Sequence, residues 1–395
     1  MAGSLTTIYQ NVSYALNLNA EALMKLQEQA ASGNYVNRAS DSPSDAYRIL
    51  MLNSQERSLA NYEEQITNLI GDLEITSTII EDMAEALADT KANLTQIVSG
   101  VNDEEGQARI AEWINSTLEQ MISLANTKHA GQYLFGGNDT GTAPYAVERE
   151  NGMVTNVTYQ GSDEARRIDV SAAVDVEGYW VGDEVFRVDD REDPIFLGET
   201  GAAAGTGTSN VCGDVWLTVT HDGSNYQISI DDGATFVTVP PGGDANQAVT
   251  DSRTGKILYV DTTGLNSTGV ELVRVPGTYD VFGTLISLRD TLFNERGIPS
   301  SQVLSYVNQC VAAVEEVRNG LMQADVTTGS RIGFLDTLQR NLENMQFDTQ
   351  DETTGLQEAD IAQIAIDLSR REVLYQMSLS VAGKLMTTTL LDFIS

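Results

Sequence analysis

A mainly α chain interrupted by a β-rich insert is the fold class this sequence predicts, and three observations carry it. Leu59, Tyr62, Ile66, Leu69, Leu73, Thr76, Ile80, Met83, Leu87, Thr90, Leu94, Ile97 and Val101 recur at alternating steps of three and four, a heptad seam broken only by two threonines. A second seam runs through Leu304, Val307, Val311, Val314, Val317, Leu321 and Ala324, then Ile332, Leu335, Leu338, Leu342 and Met345. Between the seams, residues 146–276 hold 16 of the 33 glycines, and strand alternation replaces helical periodicity.

In chain order, Leu5, Ile8, Val12, Leu16, Leu23, Leu26 and Ala30 share one face of a first amphipathic helix. Ser32-Gly33-Asn34 is its expected C-cap. Ser42 is placed to N-cap the next helix, Pro43 to open it, and Asp45 to meet the positive end of its dipole. The rod follows: from Ser44 to Val101 it spans roughly 85 Å at ~1.5 Å per residue. A turn over Asn102–Gly106 leads to a third helix, whose Ala111, Ile114, Leu118, Met121 and Ala125 can fold back on the rod.

From Tyr133 onward the character changes. Val215, Leu217 and Val219 alternate, as do Tyr226, Ile228 and Ile230, with Val237 and Val239 after them. Asp222-Gly223 and Asp232-Gly233 punctuate these runs as hairpin turns, so the strands are expected to be antiparallel. GETGAAAGTGTSN (198–210) is expected to be a flexible loop. Helix resumes at Val281 and loosens near Asp348–Gly355. A final helix sets Ile361, Ala365, Leu368, Tyr375, Leu379, Ala382, Met386, Leu390 and Phe393 on one face. The order is thus end helix, rod, insert, rod, end helix, which puts the two ends together. The expected domains are 1–42 plus 350–395 as terminal helices, 43–142 plus 279–349 as a coiled-coil rod, and 143–278 as a β-rich outer domain.

The 395 residues carry a net charge of −34, a poor match for nucleic acid or anionic lipid. Residues 1–42 hold −1 and residues 358–395 hold −2, leaving −31 for the rest. The ends are composed for burial and the middle for water. Salt should therefore quicken self-association, by screening subunit repulsion. Cys212 and Cys310 read as unrelated thiols. No apolar run is long enough to cross a membrane, and MAGSLTTIYQ lacks the pattern of a cleavable signal peptide.

Catalytic and cofactor chemistry finds little support. His129 and His221 lie on different elements, so no histidine-based metal or acid–base site assembles, and His129 is expected to pack at a helix end. Asp189-Asp190 and Asp231-Asp232 lack the spacing of a calcium loop and read as solvated turns. Gly201–Gly207 lacks the strand and helix that flank a nucleotide loop. The expectation is no enzyme, no metal and no cofactor.

Three stretches carry a resemblance. SGNYVNRASDSPSDA (32–46) has a Ser-Gly, Asn-Arg, Ser-Asp and Pro helix break, with Ser42 where a second aspartate is usual. NTKHAGQYLFGGNDTGTAPY (126–145) leaves the helices through Tyr-Leu-Phe-Gly-Gly and Pro-Tyr. LQEADIAQIAIDLSRREVLYQMSLSVAGKLMTTTLLDFIS (356–395) opens on Asp-Ile-Ala and closes on Leu-Leu-Asp-Phe-Ile. These resemble the flagellin superfamily and, within it, its hook–filament junction branch.

That resemblance implies a flagellin-like fold of paired N- and C-terminal helices, coiled-coil rod and outer β-domain. It also implies a structural adaptor of the bacterial flagellum, forming a ring of its own subunits between hook and filament. Its implied partners are another hook-associated protein on the hook side, flagellin on the other, and an export chaperone with the type III export apparatus. Its implied location is extracellular, reached without a cleaved signal. A minor flagellin, and a flagellar protein whose β-insert binds surfaces, are the competing expectations. The bottom-up counterpart is that each terminal helix is too short to be stable alone and folds on assembly. The expected interface is Leu5, Ile8, Val12, Leu16, Leu23 and Leu26 with Ile361, Leu368, Tyr375, Leu379, Met386, Leu390 and Phe393.

Overall fold

A heptad seam is stable only when other surfaces cover it, and the computed structural model shows what does so here. It describes residues 2–98, 104–172, 174–294 and 296–394. The helices α1 (Ala2–Ser32), α2 (Pro43–Val98) and α3 (Glu104–Ala125) come first. A small ribbon of β1 (Lys128–His129) and β2 (Gln132–Tyr133) is followed by the hairpin strands β3 (Tyr145–Glu150), β4 (Met153–Tyr159), β5 (Arg166–Ser171) and β6 (Val174–Tyr179). After the short α4 (Gly182–Phe186) come β7 (Ile195–Phe196), β8 (Ala203–Ala204), β9 (Gly213–His221), β10 (Tyr226–Ser229) and β11 (Val237–Thr238). β12 (Gln247–Thr250), β13 (Ile257–Asp261) and β14 (Gly269–Val275) complete the strands, before α5 (Val281–Phe293), α6 (Ser300–Gln357) and α7 (Ile361–Ile394). The chain divides into two compact units, residues 1–64 with 338–395, and residues 65–337.

In the unit of residues 65–337, the seam side chains from Ile66 through Leu94 are buried, the two threonines included. Those threonines do not break the seam, because each hydroxyl is satisfied locally: Thr76 donates to the Asp72 carbonyl and Thr90 to that of Ala86, both at 2.8 Å. The side chains of Ile97 and Val101 lie outside the described residues. Ala111, Ile114, Leu118, Met121 and Ala125 of α3 are all fully buried in the same core, as predicted. Lys91 pairs with Glu315 at 2.8 Å and Ser77 donates to Asp325, so this stretch of α6 runs antiparallel to α2. Helix does resume at Val281, with the Asp280 carboxylate accepting from Gly283 N at 2.7 Å as N-cap.

The β-insert forms layers. A five-stranded sheet has the order β11-β10-β9-β14-β7, and a three-stranded sheet the order β12-β13-β8. Every pairing among the described strands is antiparallel. Strand alternation gives the larger sheet two apolar faces. Leu217, Val219, Val273 and Val275 meet Val249, Leu258 and Val260 of the smaller sheet, while Trp216 and Leu272 pack into the helical core. The Asp222-Gly223 turn closes β9 and β10 as expected, with Asp222 Oδ1 accepting from Ser224 N and Asn225 N at 2.8 Å and Gly223 at φ +97°.

The Phe-Gly-Gly stretch proves to be a packing device. Phe135 is fully buried 4.8 Å from Phe186, and the Tyr145 ring lies 4.8 Å from that of Phe282. Gly137 has φ +60°, and a β-carbon there would meet Ser162 O at 2.6 Å and Glu164 O at 2.7 Å. Only glycine fits both the conformation and the space.

In the unit of residues 1–64 with 338–395, α1 does end at Ser32, with Gly33 at φ +73°. Tyr35 N donates to Gln357 O at 2.7 Å, and Ala359 N to Gly33 O at 3.0 Å. Gln29, buried on α1, donates from its amide to Tyr35 O at 2.7 Å. The two helix breaks are therefore bonded to each other through their backbones.

Four expectations need correction. Residues 198–210 are not a free loop: Ala203 and Ala204 pair with β13, Thr200 and Ser209 are buried, and Gly207 N donates to Asn246 Oδ1 at 2.6 Å. Residues 348–355 do not loosen; α6 continues to Gln357, with Thr349 and Thr353 donating back to the carbonyls of Met345 and Thr349. Met345 is exposed, because the heptad from Leu335 and Leu342 continues to Thr349 instead. Ser42 precedes α2, but its hydroxyl donates to Asp45 Oδ2 rather than capping an N–H.

Candidate assembly surface

The candidate surface is built on α1 and α7. These pack antiparallel: Asn34 bridges Glu358, and Arg371 Nη1 donates to Asn19 Oδ1 at 3.3 Å. Neither helix could bury an apolar stripe alone, and each supplies the other with part of a partner. Val12, Leu16, Leu23 and Leu26 of the expected interface are half-buried, as are Leu368 and Tyr375. Ile361 and Leu379 remain 52% and 48% exposed. The side chains of Leu5, Ile8, Met386, Leu390 and Phe393 lie outside the described residues.

Sequence reasoning missed a second set. Tyr14, Leu18 and Met24 on α1 and Ile366, Val373, Leu374, Met377 and Val381 on α7 are all exposed, Tyr14 by 69% and Met377 by 61%. The signal was present in α7, where Ile366, Val373 and Met377 recur at steps of seven and four off the main stripe. A helix apolar on more than one side is made for more than one partner. This concentration of exposed apolar side chains on two helices is of the kind that marks an interaction site.

Few charges interrupt the surface. Asp41 accepts backbone hydrogen bonds from Arg38 and Asn37, at 2.9 and 3.2 Å, and pairs with Lys25 at 3.1 Å. The Arg38 N–H chiefly, and Lys25 after it, hold the Asp41 carboxyl below its ordinary value. Arg38 pairs with Glu28, and Arg48 with Glu352.

The other chemistry weighed in the sequence stays scattered. His129 is on β1, its Nδ1 2.6 Å from Asp72 Oδ1, and His221 stacks edge-on against Tyr226. Asp189 and Asp190 are exposed, but Asp231 is buried rather than solvated: it accepts from the hydroxyls of Ser252, Ser229 and Thr235. Those bonds overcome the cost of burial and hold its carboxyl far below the usual range. Cys212 and Cys310 are both free thiols. Among the described residues, no cluster of three or more His, Cys, Asp or Glu could hold a metal, and no helix is long and apolar enough to cross a membrane.

Comparison with known proteins gives this geometry a context. Residues 4–140 match the bacterial flagellin N-terminal helical region. Flagellar hook-associated protein 3 of Escherichia coli is 25% identical over 178 residues, which cover 45% of this chain and 54% of that protein. The Salmonella typhimurium protein of that name is 28% identical over 154 residues, 38% of this chain and 48% of the relative. The chain thus spans about half the length of these curated relatives. In fold, the structure is similar to flagellar hook-associated protein-3 of Legionella pneumophila, with TM-score 0.54 and 17% identity, covering 78% of this chain and 98% of that one. Xanthomonas campestris FlgL gives TM-score 0.50 and 18% identity, over 76% and 98% of the two chains. The resemblance read from the sequence therefore holds: residues 4–140 carry the bacterial flagellin N-terminal helical region, and the chain is similar in sequence and in fold to flagellar hook-associated protein 3 of the flagellin superfamily.

Proposed function

We propose that this protein is a structural adaptor of the bacterial flagellum that joins hook to filament as a ring of its own subunits. The observation that carries the reading is the exposed apolar surface of paired α1 and α7, in a chain whose relatives are hook-associated proteins. Each helix covers part of the other, and the apolar side chains left exposed are available to neighbouring subunits. Residues 1–42 and 350–395 are the assembly segments, residues 43–142 with 279–349 the rod, and residues 143–278 the outward domain. Another hook-associated protein on one side and flagellin on the other complete the assembly. The chain reaches the outside of the cell through the type III export apparatus with a chaperone.

Immunogold labelling of intact flagella tests this directly. One band between hook and filament is the expected result. Label along the whole filament would instead make the protein a minor flagellin, the second reading, which the flagellin-type match over residues 4–140 favours.

A further inference from the structure

The groove between α1 and α7, about 580 Å³ in volume, holds an imbalance of charge. Arg370 and Arg371 both line it, beside Lys25, Asp367, Tyr35 and Leu374. Lys25 is neutralised by Asp41, and Asp367 accepts from Gln363 at 3.1 Å. Arg371 reaches only the uncharged Asn19 amide oxygen, and Arg370 has no hydrogen bond or ion pair among the described residues. With Asp367 also in the lining, the two arginines still leave the groove a net positive charge. Neither guanidinium is in an ion pair among the described residues, notable in a chain with 57 acidic and 23 basic residues.

The complementary pattern lies on α6 of the same unit. Glu343, Phe347 and Asp351 follow one another at steps of four, so they share one stripe, with Asp348 beside it. All four are exposed, Phe347 by 69%, and the three carboxylates have no ion pair among the described residues. The neighbouring Glu352 is already engaged by Arg48 and is not part of this set. An apolar ring flanked by acids on one element thus matches a groove on another that sets Tyr35 and Leu374 beside two arginines.

We infer that the Arg370–Arg371 groove of one subunit receives the Glu343–Asp351 stripe of α6 from a second copy of this chain. The two patches are different surfaces, so the contact is heterologous: each subunit uses its groove toward one neighbour and its stripe toward the other. Repeated contacts of that kind close into a ring when the rotation allows, and grow into a helical array when it does not. Phe347 against Tyr35 and Leu374 supplies burial, while the arginine–carboxylate pairs fix register and quicken docking. This inference rests on the self-assembly proposed above and adds the residues and polarity of the contact.

Charge reversal of the full-length protein tests it, with self-association followed by sedimentation velocity and helix content by circular dichroism. Arg370→Glu with Arg371→Glu, and separately Glu343→Lys with Asp351→Lys, should each weaken association at least tenfold at unchanged helix content. All four substitutions in one chain should restore it to within about threefold of wild type. If wild type associates and neither pair of reversals weakens it, the inference is wrong and self-assembly stands. Weakening by both without rescue in the fourfold variant also overturns it, because the two patches then do not meet. A wild-type chain that stays monomeric at every concentration overturns the assembly reading itself.

Discussion

Arg274 on β14 lies directly across from Asp214 on β9, Nε to Oδ1 at 2.9 Å, with side chains only 5% and 3% exposed. The pair sits on the face of the sheet turned to the helices. There Tyr279 and Ser287 also donate to Asp214, at 2.9 and 3.0 Å, and burial with the nearby Asp214 charge pushes the Tyr279 hydroxyl well up. A buried ion pair contributes little over a well-packed apolar pair, but breaking one is expensive. Arg274→Met should cost about 3–5 kcal/mol in denaturant unfolding, and Arg274→Met with Asp214→Leu should recover most of it. An equal loss in the double variant would mean that packing, rather than the orphaned charge, dominates.

Glu271, three residues earlier on β14, behaves oppositely. It is buried with no cationic partner among the described residues, and the Thr200 hydroxyl at 2.9 Å is its main hydrogen bond. Burial raises its carboxyl above the ordinary value. The folded protein then holds this proton more tightly than the unfolded chain, so stability falls as pH rises from about 4.5 through the raised value. Glu271→Gln keeps an acceptor for Thr200 and should be more stable than wild type at pH 7. The two should converge below pH about 4.5. Wild type more stable than the variant at pH 7 would refute the sign.

Gly137 offers a conformational test of the Phe-Gly-Gly turn. Gly137→Ala must place a methyl group against two carbonyl oxygens at positive φ, and should cost at least about 2 kcal/mol. Gly131→Ala is the control: its φ is +84°, but nothing lies within 4 Å, so conformational strain alone should make it milder. Thermal unfolding of both variants separates contact from strain.

Assembly offers the fourth prediction. Ile366→Ser with Met377→Ser changes two exposed side chains and should leave monomer stability within about 0.5 kcal/mol, while weakening self-association severalfold. Added salt should speed association of the wild type, since the net charge of −34 repels subunits at long range. Faster association at low ionic strength would show that attraction at the groove outweighs that repulsion.

Much of this architecture was legible because burial in long helices follows a simple repeat. Ile66, Leu73, Ile80, Leu87 and Leu94 could be placed in the core from spacing alone. The same logic failed at Thr349 and Thr353, where a polar side chain that bonds its own helix hides a seam continuing through it. It also failed for Arg274 and Asp214, whose meeting depends on strand register across 60 residues of sequence. On the candidate surface, the stripe of α1 was readable. The exposed set on α7 left a signal in the spacing of Ile366, Val373 and Met377, but a stripe says which residues are apolar and not which of two faces a neighbouring helix will take.

The paired breaks at Gly33 and Ala359 have a mechanical consequence. Tension on α1 and α7 passes along the two covalent strands at the breaks. Tyr35–Gln357 and Gly33–Ala359 bond those strands to each other on either side of residues 34 and 358, so neither strand can slide past the other without breaking them. The two breaks shift together or stay together.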